Sequence, residues 1–187
     1  MTLANIMKLA LRQLDEAAED IAEYDELFTS YANMGYMIAI RLFYRPRETF
    51  VLTTDESGRA DIRALAIRRV VEVKDKMGRA VRFDIAADAA TIETGERNAV
   101  LHVLAEVERE PMNSATDEPQ LPQYAHAALA DYICYRHLSS GSLSKQSRAE
   151  FFRQSFYQQM RALSYEGEGS VTRMKNLYAV TQAGYRR

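Results

Sequence analysis

The chain has 187 residues, of which 47% are apolar and 27% charged, and a formal net charge of -2. Such a composition can bury a core, which excludes a chain disordered throughout and suits one domain or one domain with an appendage. Near-neutral charge speaks against tight sequence-independent nucleic-acid binding, because that affinity comes from phosphate neutralisation by a basic excess.

The first segment, MTLANIMKLALRQLDEAAED, has an apolar stretch broken by Lys8 and Arg12 and followed by acids, so it is not expected to act as a signal peptide. Leu3, Met7, Ala10 and Leu14 recur at three and four residues, which predicts a helix over 2–14. Asp20 or Asp25 is available to cap the next one. There Leu27, Tyr31, Met34, Ile38 and Leu42 follow at spacings of 4, 3, 4 and 4, an apolar stripe that needs a partner surface. Ala32, Gly35 and Ala39 make a second face of small residues, open to close approach by another backbone. Pro46 disfavours helical geometry at Arg45, so this helix should end near Tyr44.

The period then shortens. TFVLTTDESGRADI alternates like a strand into a Ser-Gly turn, and LAIRRVVEVKDKMGRAVRFDIA predicts two short strands around Asp75–Gly78. ATIETG and NAVLHVLAEVERE add two more, the last with Leu101, Val103, Ala105 and Val107 opposing Val100, His102, Leu104, Glu106 and Glu108. Residues 48–110 thus read as a small, mostly antiparallel sheet. A polar loop, Glu110 to Pro119, leads to Leu121-Pro122, where proline favours a helix start. Leu129, Tyr132, Ile133 and Arg136 share one face of that helix, with Ala125 and Ala128 beside it. After SSGSLS comes a helix over 144–164 whose stripe is Ala149, Phe152, Phe156, Met160 and Leu163. The short connection predicts that these two helices are antiparallel neighbours. Residues 165–187 read as a tail. No apolar run of about 18 residues occurs, so no membrane span is expected.

The fold class expected is therefore α+β: an antiparallel bundle of about four helices with an inserted antiparallel sheet and an extended C-terminal tail. The divisions fall at 1–47, 48–110, 111–164 and 165–187 within a single domain.

Signals for chemistry are weak. His126 and His137 lie eleven residues apart, about 16 Å of helical rise, too far to share a metal ion. His102 sits on a strand beside Glu106 and reads as a solvent-facing residue. Cys134, the sole cysteine, excludes an intrachain disulfide and a cysteine zinc site and fits a reducing compartment. A small buried hydrophobe is its default reading. No P-loop, dinucleotide fingerprint or nucleophile elbow is present. Catalytic residues, cofactors and metals are accordingly not expected. Phe151 lies about 100° round from Phe152, and Tyr157 is likewise offset from Phe156, so the helices carry apolar surface beyond the one face a lone bundle buries. Tyr132, Tyr135, Phe151 and Tyr157 are the candidate subunit contacts; the competing reading has the tyrosines and methionines completing a monomeric core.

Leu121-Pro122 with Tyr124 and His126, the small-residue helix through Leu129 and Tyr132, the Ser-Gly break, and the closing helix with Ala149, Phe152 and Phe156 follow two helices and a sheet insertion. In this order of elements the chain resembles the head-to-tail adaptor (connector, or head-completion) proteins of tailed bacteriophages, over most of residues 20–164. The resemblance implies a structural virion protein of the neck, assembled in the host cytoplasm, with no enzymatic role. Copies, typically twelve, would form a ring under the portal protein at the capsid vertex. That ring would extend the channel through which DNA passes without specific binding, and hold a tail-side stopper or tail terminator. It also implies that the tail docks on the portal or a neighbouring subunit, with Leu177, Tyr178, Val180, Tyr185, Arg186 and Arg187 as its contacts. The alternatives are another neck or tail-completion subunit, a small nucleic-acid-binding regulatory protein using the tail and Arg68-Arg69, or a hydrolase using His126 or His137.

Overall fold

Thr2 starts the first helix by accepting the Asn5 N–H on its hydroxyl, which satisfies one of the donors every helix start leaves open. The helix α1, Leu3–Leu14, ends at Asp15 in the left-handed region, φ 65°, whose N–H turns back to the carbonyls of Arg12 and Leu11. In the computed structural model, which describes residues 1–16 and 21–167 with side chains through Ser164, three further helices follow. They are α2 (Ile21–Ile38), continued by a π-helical turn Ala39–Tyr44; α3 (His126–Leu138), entered through a 3-10 turn Gln123–Ala125; and α4 (Leu143–Gly167). Between Tyr44 and Glu110 run six strands: β1 (Arg47–Thr53), β2 (Arg59–Asp61), β3 (Ile67–Asp75), β4 (Phe83–Ile85), β5 (Thr91–Thr94) and β6 (Val100–Val107). The protein is α+β, with four α-helices and two small antiparallel sheets among the described residues. It divides into two compact units, a helical one (Met1–Tyr44 with Glu110–Arg187) and a β one (Arg45–Arg109). The breaks lie at 44/45 and 109/110, where the sequence pattern placed them at 47/48 and 110/111. The tail contacts singled out above, Leu177 to Arg187, lie outside the described residues, as does Asp20.

The helical unit is built around α3. The other three helices all pack on it, and it is buried nearly all round: His126, Ala128 to Cys134 and Leu138 are out of solvent. The α1 stripe Leu3, Met7, Ala10 and Leu14 is buried, joined by Ile6 and Leu11. The α4 stripe from Ala149 to Leu163 is buried likewise. In α2 the orientation differs from the simplest expectation. The large-residue stripe does not face the core: Leu27, Met34 and Leu42 are exposed, and Tyr31 and Ile38 are half-buried. The small-residue face goes inside, where Phe28, Ala32, Gly35, Tyr36, Ala39 and Ile40 are buried. The physical reason is close approach. A Cβ on Gly35 would lie 2.8 Å from Cγ and 2.9 Å from Cδ1 of Tyr132, so only a glycine lets that ring rest on the α2 backbone. Asp25 does not cap α2, since the helix begins at Ile21 and Asp25 falls in its second turn. The helical path ends at Tyr44; Arg45, before Pro46, has φ 45°.

The β unit holds two three-stranded sheets where a single one was expected, in orders β1-β6-β3 and β2-β5-β4. In the first, Phe50 pairs with Val103, and Val103 with Val73 across the other edge. The turn at Asp75–Gly78 forms, with Asp75 accepting the N–H groups of Met77 and Arg79 and Gly78 at φ 79°. The chain after it makes one bridge, Lys74 to Ala80, and then leaves for the second sheet as β4. That departure is why the expected hairpin is short. Ile62, Val73, Ile92, Leu101, Val103 and Ala105 form the core of this unit.

Gly35→Ala should destabilise the protein by about 1–3 kcal/mol through overpacking, although alanine is the better helix former. A denaturant melt checks this; unchanged or raised stability would show that Tyr132 moves aside freely.

Candidate functional site

The residues most able to carry chemistry are all engaged in holding the fold. His126 is buried; its Nε2 lies 2.9 Å from the Leu121 carbonyl and its Nδ1 2.8 Å from the Met1 amine. The carbonyl takes the Nε2 proton, which leaves Nδ1 to accept from the amine. The imidazole thus pins the start of the chain to the entry of α3. His137 lies edge-on to the rings of Tyr24 and Phe28, at 5.5 and 5.6 Å between centroids. Burial, then the Lys145 charge, pushes its pKa down, so it is neutral at pH 7. His102 is exposed on β6, paired in register with Val51 and Lys74. Cys134 is buried, with its thiol 3.2 Å from Gln13 Oε1, and burial followed by the Asp131 charge pushes its pKa up to about 12. Such a thiol is protonated at neutral pH, and the thiolate is the form that attacks or binds metal. Among the described residues no three His, Cys, Asp or Glu side chains are grouped to hold a metal ion.

Asp131 was not singled out by the sequence reading and is the most connected polar group of the helical unit. Its Oδ1 accepts from Gln13 Nε2 at 2.9 Å; its Oδ2 accepts from Ser155 Oγ at 2.6 Å and Gln159 Nε2 at 2.8 Å. One buried carboxylate on α3 therefore ties α1 and α4 to it. The signal was available: an acid inside an apolar segment, and Ser155 with Gln159 four apart on the edge of the α4 stripe. The β unit has its own buried acid. Glu106 occupies a core-facing strand and is 1% exposed, with Arg68 Nη2 at 2.7 Å and Arg69 Nη2 at 3.7 Å. Burial pushes its pKa up, but the Arg68 hydrogen bond and the charges of Arg69, Arg68 and Arg45 outweigh this and hold it below the ordinary range. Arg68 is thus hydrogen-bonded to Glu106, while Arg69 stays 61% exposed beside it.

Large apolar side chains are exposed in both units: Val51, Met77, Ile85 and Val100 in the β unit, and several on the helical unit. Phe151 is 68% and Leu143 82% exposed on α4, and Leu42 is 57% exposed beyond α2. Of the four residues expected to touch a neighbouring subunit, Phe151 is the one that stands clear of the core. Tyr135 and Tyr157 are half-buried, Tyr157 against Phe43 and Phe156. Tyr132 is a correction: it is 3% exposed, wedged between Gly35 and Phe156, so its ring serves its own bundle and is not offered to another copy. Beside Tyr157 lies an open groove of about 470 Å³ lined by Arg153, Gln154, Gln158 and Arg161. Arg153 grips Glu150 through two 2.7 Å bonds, which bring the Glu150 pKa down to about 2. The Glu110–Pro119 loop folds onto the start of α1: the Asp117 and Ala115 carbonyls accept the N–H groups of Leu3 and Ala4. Asn113, Ser114, Thr116 and Glu118 remain exposed. No protein-family model matches the chain, and no curated protein matches it.

Two measurements follow from these buried groups. Cys134 should resist thiol reagents in the native protein and react fully once unfolded; prompt native labelling would place it at a surface. Glu106→Gln should cost about 1–3 kcal/mol at neutral pH. A carboxylate whose folded pKa is lowered stabilises above its unfolded value and loses this as pH falls, so the gap from wild type should close below the ordinary value of 4.5. Denaturation midpoints of both proteins across pH 3–7 check it.

Proposed function

We propose that the protein is a structural virion component, a head-to-tail adaptor whose copies form a ring under the portal protein. In this reading it extends the DNA channel and presents the platform on which a tail-side stopper or tail terminator attaches. The observation that carries the proposal is the apolar surface left outside a bundle whose core is already full. Leu27, Met34 and Leu42 along one helical rod and Leu143 and Phe151 on another face solvent, while every large side chain of the inner stripes is buried. Side chains of this size, spaced to share a face, mark a contact surface. A ring arises when such a contact joins unlike faces and its rotation closes. The order of elements resembles phage adaptors and supplies the setting. A further feature is consistent with a passive channel wall: the near-neutral net charge of -2. A strongly basic lumen would retain passing DNA, since each phosphate contact adds affinity.

The deciding experiment is the mass of the complex with and without portal-bearing capsids. A ring of many copies on the capsids, lost or weakened in Phe151→Glu while the isolated variant melts normally, is the expected result. A protein that stays monomeric beside such capsids, or a Phe151→Glu variant that assembles like wild type, would count against it.

A further inference from the structure

We propose that the end of the β1-β6-β3 sheet around Glu106 is a phosphate-binding site, formed by Arg45, Arg47 and Arg69 and independent of the ring reading. All of these residues belong to the β unit. Glu106, on the central strand, is opposed by Arg47 of β1 on one side and by Arg69 of β3 on the other. Residues directly opposite one another share a face of a sheet, so the two arginines flank the carboxylate. The pairing of β3 with β6 shifts between Ile67 and Arg69, which leaves Arg68 as an extra residue. A bulge of this kind re-aims side chains. Here two consecutive arginines both turn to Glu106, with Nη2 atoms 2.7 and 3.7 Å from its oxygens. The Arg45 charge bears on the same carboxylate.

The ion pairs do not exhaust this positive charge. Residues 45–48, 68–69 and 106–109 hold five arginines against three glutamates, an excess of positive charge within a chain of net charge -2. Glu106 takes its hydrogen bond from Arg68, and Glu48 lies 2.7 Å from Arg109. Arg69 is 61% exposed and too far from Glu106 Oε1 for a hydrogen bond, and that oxygen has no other partner. Arg47 is exposed, and neither it nor Arg45 has an ion pair among the described residues. The Arg45 Nε is buried without a hydrogen-bond partner. Its charge has therefore lost part of its water and gains from an anion nearby. Arginine presents planar, paired donors that match phosphate oxygens, and a phosphate offers more acceptors to a set of three than a carboxylate does. Glu106 is the positioning residue, a buried carboxylate that fixes Arg68 and centres the others. Two or three such contacts hold a phosphate weakly and read no base sequence, within what the net charge permits.

The test uses the full chain at low salt with a labelled single-stranded DNA oligonucleotide, followed by anisotropy, and with inorganic phosphate as competitor. Arg47→Gln with Arg69→Gln should lower the affinity roughly ten-fold and flatten its logarithmic salt dependence by about 0.7 for each lost contact. Arg82→Gln with Arg97→Gln removes the same charge from exposed positions before β4 and β6 and should bind like wild type. Thermal melts confirm that both variants fold. Inorganic phosphate that raises the melting temperature of wild type but not of the Arg47 and Arg69 variant, with no oligonucleotide bound, would assign the site to a free phosphate instead of a phosphodiester. Binding of neither probe would overturn the site, as would equal losses in the two double variants. A glutamate-rich peptide bound as tightly as the oligonucleotide would overturn it as well.

Discussion

Everything in the helical unit depends on how α3 is enclosed. It carries alanines at 127, 128 and 130, with Ala125 in the turn before it, so neighbouring helices come close on several sides at once. Close approach leaves no room for water around a polar group, yet Asp131 stands in the middle of the helix. The carboxylate is tolerable there only because three donors reach it, from Gln13, Ser155 and Gln159. A buried acid with its partners in place specifies one arrangement of the helices, since sliding either neighbour by a turn would strip it of hydrogen bonds. Gly35 against Tyr132 adds a steric stop of the same kind on the α2 side.

This enclosure determines what is left for other molecules. The inner volume is filled by aromatic and aliphatic side chains from all four helices, with Phe28, Tyr36 and Phe156 fully buried. Leucines and methionines on the far side of α2 cannot enter, nor can Phe151 on α4. They stay outside as exposed apolar side chains. Polar groups inside the two units are held in place: His126 lies against the Met1 amine, the Cys134 thiol beside Gln13, and Glu106 against Arg68.

Much of the fold was legible in the chain. The stripes of α1 and α4 are regular because each helix has one apolar face, and periodicity reports a single face well. Val100 to Val107 alternates cleanly for the same reason, apart from Glu106, whose burial depends on two arginines 37 and 38 residues earlier. In α2 two faces were legible, and the local pattern did not say which of them lies inside. Leu27, Met34 and Leu42 weigh more on any hydrophobicity scale than Ala32, Gly35 and Ala39. The core nevertheless took the small residues, because the bulky partner on that side, Tyr132, comes from α3. Single-helix patterns cannot register the shape of what lies opposite. The same blindness made Tyr132 look available to a neighbouring copy.

By itself the sequence determined the α+β class, the helix and strand positions to within a few residues, and the poverty of catalytic signals, because these follow from local period, turn residues and composition. Tertiary structure decided which face of α2 is inside, that the strands divide into two sheets, and that Asp131 and Glu106 are buried with partners. Each of those depends on groups far apart in the chain meeting at contact distance, where sterics and desolvation act, and no local pattern carries that information.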